Sequence, residues 1–301
     1  MDADSLIDRQ RLKRRLVFWR LLAVAGLALA AVAALAPPGG GPIRGPHIAR
    51  VDVEGVITEN PDHIAAIREL ADNDRVKAVL IRINSPGGTA TGGEALYTAL
   101  RHVAEKKPVV AAIGTLGASA AYMTALAADH IVVRETSITG SIGVILEAPE
   151  VSGLLDKLGV GVNVLKSAPL KGEPSLSSPL SPEARASLQA MIDDSFAYFR
   201  DLVGSRRKLG AEDLARVADG RAFTGRQALA LHLVDALGGE AEARAWLVAE
   251  RKIPADLPVE IMHEPAKEGL AGLGFAGAAQ KLLMGEWLSL DGLVSVWHPP
   301  L

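Results

Sequence analysis

The chain has 301 residues with 32 basic and 35 acidic side chains, a formal net charge of -3 that gives no signal for nucleic acid. It contains no cysteine, which excludes thiol catalysis, disulfides and thiolate metal sites. Aliphatic residues, Ala and Gly dominate while aromatics make up 4%, a balance that suits helices packed closely on a sheet.

Residues 1–15 form a basic start with Arg9, Arg11, Lys13, Arg14 and Arg15. Leu16 to Ala36 follows as an apolar stretch broken only by Arg20, long enough at about 1.5 Å per residue to cross a hydrocarbon core of roughly 30 Å. The positive cluster predicts a cytoplasmic N-terminus and an exported remainder. A cleaved signal peptide ending at Ala34-Leu-Ala36 is the competing reading, but the stretch is long for one and Pro37 follows at once. Residues 37–46, rich in Pro and Gly, read as a linker.

From His47 the pattern alternates between strand and helix. His47 to Ile57 reads as a strand with a turn at Glu54-Gly55, and Asn60-Pro61 opens a helix with Ile64, Ile67 and Leu70 on one face. Val76 to Ile83 is a buried-type strand ended by a turn at Asn84-Ser-Pro-Gly-Gly88. Gly93 to Lys106 reads as a helix and Val109 to Ile113 as a strand. Gly114 to Met123 is a small-residue turn into a helix that runs to about Ala128, and it presents Ser119. His130 to Val133 is a strand and Thr139-Gly-Ser141-Ile-Gly143 a turn. Such units predict an α/β fold with a parallel sheet, whose ligands bind beyond the carboxyl ends of the strands.

Val151 to Leu158 reads as a helix, Val162 to Lys166 as a strand, and Ala168 to Leu180 as a loop with a lone charge pair, Lys171 and Glu173. Pro182 opens a long helix to Arg207 with Leu188, Met191, Ile192, Phe196 and Phe199 as its buried stripe. Thr224-x-x-Gln227 has capping-box spacing, Leu233 to Leu237 is a short extended segment, and Glu240 to Lys252 a last helix. Residues 47–253 therefore form one domain. Residues 254–301 are a tail of open role, interrupted by Lys281, Glu286 and Asp291 and so not a second span.

A serine is a poor nucleophile unless a base takes its proton and donors hold the oxyanion. The seven histidines are scattered and none has a loop context that favours a Ser-His-Asp triad. A lysine held neutral by burial is the better route: Lys171 lies in a loop lined by Ala, Pro, Leu and Ser where it can be desolvated, whereas its competitor Lys166 ends an apolar strand and would point its ammonium outward, and for either a solvated surface position is the plain alternative. Gly87, Gly88 and Ala120 offer backbone N–H groups for an oxyanion. The Gly-x-Ser-x-Gly motif fails, because Ala121 stands in place of its last glycine.

Taken in order, Asn84-Ser-Pro-Gly-Gly88, the run around Ser119, Thr139-Gly-Ser-Ile-Gly-Val144 and Asp219-Gly-Arg through Gly239 resemble the signal peptide peptidase A family. These membrane-anchored serine peptidases share a fold of repeated ββα units with the Clp protease and the crotonases, and the resemblance covers about Ile48 to Leu247. It implies Ser119 as nucleophile, Lys171 as general base, Ser141 as the hydroxyl that orients the lysine, and Gly87 or Gly88 with Ala120 as oxyanion donors. The family commonly has Gly-Gly after the serine; here Ala120-Ala121 follow.

The resemblance further implies the short form with its own serine and lysine in each chain, ring- or dome-shaped homo-oligomers, and peptide substrates such as signal peptide remnants. It calls for no metal or nucleotide. The expected location is a bacterial inner membrane, single-pass, with the catalytic domain on the periplasmic side. A crotonase-type acyl-CoA enzyme and a non-catalytic scaffold, with Ser119 as a plain helix cap, are the competing readings.

Overall fold

The computed structural model describes residues 18–27, 45–262 and 294–296. Contacts divide the chain into two units, Met1–Arg44 and Gly45–Leu301. In the first, residues 18–27 form helix α1, with exposed side chains and an edge-to-face pair of Phe18 and Trp19. Among the described residues no helix is long and apolar enough to cross a membrane. The rest of the expected anchor over 16–36, the basic segment 1–15 and most of the linker lie outside the described residues.

The second unit is a mixed α/β fold on a mostly parallel sheet. Its elements run β1 His47–Ile57, α2 Pro61–Glu69, β2 Val76–Thr89, α3 Ala90–Ala104, β3 Val109–Ala118, α4 Ala120–Ala125, β4 His130–Val133, β5 Ile138–Gly140, α5 Ser152–Lys157 and α6 Pro182–Arg207. They continue with α7 Ala211–Val217, β6 Ala222–Thr224, α8 Gly225–Ala230, β7 Ala236–Leu237, α9 Glu240–Arg251, β8 Val259–Ile261 and β9 Val294–Val296. The main path orders the strands β6-β5-β3-β2-β1-β8, with β4 on β3 and β7 on β4. Among the described residues only β5–β6 and β2–β9 pair antiparallel.

Strand alternation splits the apolar residues between two faces. Val79, Ile81 and Ile83 of β2, with Val109, Ala111 and Ile113 of β3, join the core that holds Leu100 of α3 and Met123 of α4. Ala78, Leu80, Val110, Ala112 and Val132 point the other way, against Ala243 and Leu247 of α9. Helix ends follow their expected chemistry: Asn60 caps α2 through His63 N–H, and Thr224 and Gln227 close the capping box of α8.

The structure departs from the sequence reading in several places. Asn84 to Gly88 does not turn. It stays extended as the end of β2, because β1 pairs with it through Val56↔Gly87 and Ile57↔Gly88 after an irregularity at Gly55. β3 likewise runs on to Ala118, and α4 stops at Ala125. Val162 to Lys166 forms no strand, since no neighbouring strand offers it a ladder, and Leu165 is fully exposed. On α6 only Phe199 of the expected stripe is fully buried, while Met191 is exposed. The sheet also continues past Arg251, with β8 pairing parallel to β1.

Candidate active site

Ser119 stands between β3 and α4 with φ 58° and ψ -122°, a conformation that costs about 1–3 kcal/mol for a residue with a Cβ. True caps in this chain behave differently. Thr89 and Ser181 sit in the extended region and accept the N–H groups of Gly92 and Ala184, whereas the Ser119 side chain makes no cap bond. A plain helix-cap role therefore fails on geometry.

What holds the strained turn is a set of backbone and side-chain bonds. Ser119 N donates to Gly140 O at 2.8 Å, and Met123 N donates to Ser119 O at 2.9 Å. The far end of α4 is held by cations: Arg206 donates to Leu126 O and Ala128 O, each at 2.8 Å, and Arg101 to Ala127 O at 2.9 Å. The fully buried Tyr122 donates to Leu233 O at 2.7 Å, and burial pushes its phenol up. Small residues allow the approach: a Cβ on Gly93 would stand 2.9 Å from that of Ala120. Sequence reading did not single out Arg101, Tyr122 or Arg206, because their partners are carbonyls and leave no motif.

Ser119 and Ser141 line one cavity of about 400 Å³. Ser141 follows β5 at φ 50° and its N–H donates to Arg221 O at 3.0 Å, while Thr139 Oγ1 ties β5 to Gly117 O at 2.7 Å. The walls are apolar, from Ile142, Val144, Ile145, Ile192 and Phe196. Two carboxylates also line it. Asp193 accepts from Gln189 at 2.8 Å, and the Arg221 side chain holds Asp219 below the usual carboxylate range, so Asp219 is poorly suited to take a proton. No lysine or histidine is among the lining residues.

The expected donors stand at the neighbouring strand end. β3 last pairs with β2 at Gly117↔Ser85, two residues before Ser119. Gly87, at φ 106°, donates its N–H to Ser85 Oγ at 3.1 Å, and that hydroxyl donates to Gly55 O at 2.6 Å. Gly88 admits no side chain: a Cβ there would lie 1.9 Å from Ile57 O. Ala120 is buried. Lys171 is exposed in its loop, its N–H bonded to Ala168 O at 3.1 Å, and it does not line the Ser119 cavity. Glu173, the expected companion of Lys171, instead pairs with Lys166 at 2.5 Å. Among the described residues no group of three or more His, Asp or Glu side chains is placed to hold a metal ion.

Residues 101–254 match the family described as peptidase family S49, and residues 54–138 match Clp protease. The chain belongs to peptidase family S49. A Synechocystis sp. protein provisionally named a protease is 43% identical over 201 residues, covering 66% of this chain and 72% of its own length. The chloroplastic serine protease SPPA of Arabidopsis thaliana is 32% identical over 66% of this chain, and Protease 4 of Salmonella typhi 34% identical over 62%. The match spans only 30% of each of those two longer proteins. Family and relatives make this chain a serine peptidase related to signal peptide peptidase A, which removes the acyl-CoA reading.

Proposed function

We propose that the protein is a membrane-anchored endopeptidase that cuts apolar or unfolded peptide segments, signal peptide remnants among them, with Ser119 and Lys171 as its dyad. The observation that carries this reading is Ser119 itself, held in a strained, non-capping turn and lining an apolar-walled cavity. Ser119 Oγ attacks the peptide carbonyl while Lys171 takes its proton and then delivers it to the leaving amine. Water hydrolyses the resulting acyl-enzyme. Gly87, whose N–H is taken by Ser85, sets the strand direction, and the N–H groups of Gly88 and Ala120 hold the oxyanion. Ser141 orients the lysine from the cavity wall. Residues 16–36 anchor the chain in the bacterial inner membrane, N-terminus in the cytoplasm and catalytic domain outside it.

Because no lysine or histidine lines the cavity, Lys171 reaches Ser119 from a neighbouring copy in a closed homo-oligomer. Exposed apolar side chains around the lysine loop support this: Leu154, Leu158, Leu165, Leu170 and Leu176 lack a partner surface in one chain. The test is labelling with a fluorophosphonate probe and cleavage of an apolar peptide in wild type, Ser119→Ala, Lys171→Ala and Lys166→Ala. Only Lys166→Ala retains both activities, and survival in either of the other two sinks the assignment. Co-refolding equal amounts of Ser119→Ala and Lys171→Ala restores about a quarter of wild-type turnover when serine and lysine come from different copies of a symmetric ring. No recovery places the lysine in the same chain as the serine.

A further inference from the structure

α2 and α3 pack side by side, and the last turn of each carries cations, Arg68 in α2 and Arg101 with His102 in α3. A cavity of about 470 Å³ lies where they meet, lined by Arg68, Tyr97, Thr98, Arg101, His102 and Glu105. Cations near a helix C-terminus commonly answer the partial negative charge of its last carbonyls. These two arginines do something else. Among the described residues the Arg68 side chain has no hydrogen-bond or ion-pair partner. Arg101 reaches out of its helix: one terminal nitrogen donates to Ala127 O at 2.9 Å and lies 3.7 Å from Asp129, while its Nε and other terminal nitrogen have no partner among the described residues. Burial, and then the charge of Arg101, hold nearby Arg206 below the usual guanidinium range. We propose that this cavity binds the phosphate group of a small ligand between Arg68 and Arg101, and that filling it steadies the α4 support of Ser119.

The lining suits that chemistry. A guanidinium presents parallel N–H groups that match two oxygens of a phosphate, and Tyr97, Thr98 and His102 add further donors. The one carboxylate in the wall, Glu105, is exposed and stands 3.7 Å from His102. A phosphate monoester carries about two negative charges at neutral pH and so meets the two arginines better than a neutral or cationic ligand does. The volume exceeds that of a bare phosphate, which leaves room for the group it esterifies. A soluble phosphate ester and a lipid headgroup bring the same chemistry. The link to Ser119 runs through Arg101, which faces the cavity and holds Ala127 O at the far end of α4, beside the carbonyls held by Arg206. A bound anion fixes Arg101 and offsets its repulsion of Arg206, and both clamps on α4 gain from it.

The experiment titrates the full chain in detergent with inorganic phosphate, glycerol 3-phosphate and short-chain phosphatidylglycerol, at an ionic strength held constant with chloride. Calorimetry gives the dissociation constants, and a ligand at ten times its constant raises the thermal midpoint by about 3 °C. Tighter binding of glycerol 3-phosphate assigns a soluble ligand, and tighter binding of the lipid a headgroup. Arg68→Ala weakens binding at least about tenfold, and Arg68→Lys, which keeps the charge but not the fork, recovers only part of it. Amide hydrogen exchange at residues 126–128 slows on adding ligand to the wild type and stays unchanged in Arg68→Ala. Cleavage of an apolar peptide without ligand is the same in both. Absence of binding by all three ligands, or equal binding in Arg68→Ala, overturns the site. Binding with unaltered exchange at residues 126–128 overturns its link to α4. Calorimetry and exchange need no turnover, so a chain that cleaves nothing counts against the peptidase reading alone.

Discussion

Two stretches that contribute to one proposed site are built in opposite ways. From β1 to Ser141 nearly every apolar side chain is buried between sheet and helices, and Ser119 itself is 1% exposed. From Ile145 to Leu176 the chain carries many apolar residues, yet α5 buries none of them. The first stretch finds its partners within its own chain. The second leaves its apolar side chains exposed in one chain, so Ser119 is held by packing while Lys171 lies in solvent.

The sharpest way to separate the two is to remove each functional group and read activity and stability together. Ser119→Ala lowers kcat/KM at least about a thousandfold, as expected for loss of a nucleophile. Lys171→Ala causes a comparable kinetic loss, but its thermal midpoint stays at the wild-type value, since its surroundings in one chain are solvent. A large drop in midpoint for Lys171→Ala would show that its loop is as tightly packed as the serine turn.

Packing substitutions come next. Leu100→Ala empties a fully buried position and costs about 2–5 kcal/mol in chemical denaturation, whereas Leu165→Ala costs under about 0.5 kcal/mol. The contrast inverts for assembly: sedimentation detects a smaller species for Leu165→Ala and not for a destabilised but folded Leu100→Val.

The same division governs what could be read without a structure. Where strand alternation met a buried sheet, as in Val76 to Ile83 and His130 to Val133, pattern and fold agree, because one chain supplies both faces. Pattern also placed Ser119 at a strand-to-helix turn, though not its strain or the arginine clamps behind it. It failed at Val162 to Lys166, where alternating valines have no strand to pair with. It failed in part on α6, where Phe199 joins the core and Phe196 packs against it while Met191 is exposed. Asn84 to Gly88 has turn residues but is kept extended by β1, a constraint from 30 residues away that no local signal carries. The Lys166–Glu173 pair had the wrong lysine in the sequence reading for a similar reason: loop geometry, not proximity in sequence, selects the partner.

A smaller effect tests the strain at Ser119. Glycine adopts a positive φ without a Cβ penalty, so Ser119→Gly abolishes turnover yet stabilises the fold by about 1 kcal/mol, beyond any effect of Ser119→Ala. Equal stability of the two variants would mean that the turn is relaxed.

The smallest effect is the pH dependence of the support behind the serine, where the bonds that fix α4 meet those that fix β4. Asp235 accepts from Arg207 at 2.8 Å and from Ile131 N–H at 2.8 Å, and His130 stacks on Trp246 with Nδ1 3.9 Å from the same carboxylate. Burial pulls Asp235 upward, but the Arg207 bond, the Arg207 charge and the Ile131 N–H outweigh it and leave its pKa below 3.8. Burial lowers His130 from 6.5 more than Asp235 raises it. Both shifts have the same sign for stability, since the unfolded chain binds more protons than the folded one. The His130 contribution starts to fade as pH falls through 6.5, and that of Asp235 is present above 3.8 and lost as pH falls through its lowered folded value. Urea midpoints between pH 8 and pH 3.5 therefore decline on acidification. His130→Phe keeps a ring against Trp246 and flattens the upper part of that decline, while Asp235→Asn lowers the midpoint at pH 7 and flattens the lower part. An unaltered slope in His130→Phe would assign the upper decline to groups elsewhere, outside the support of Ser119.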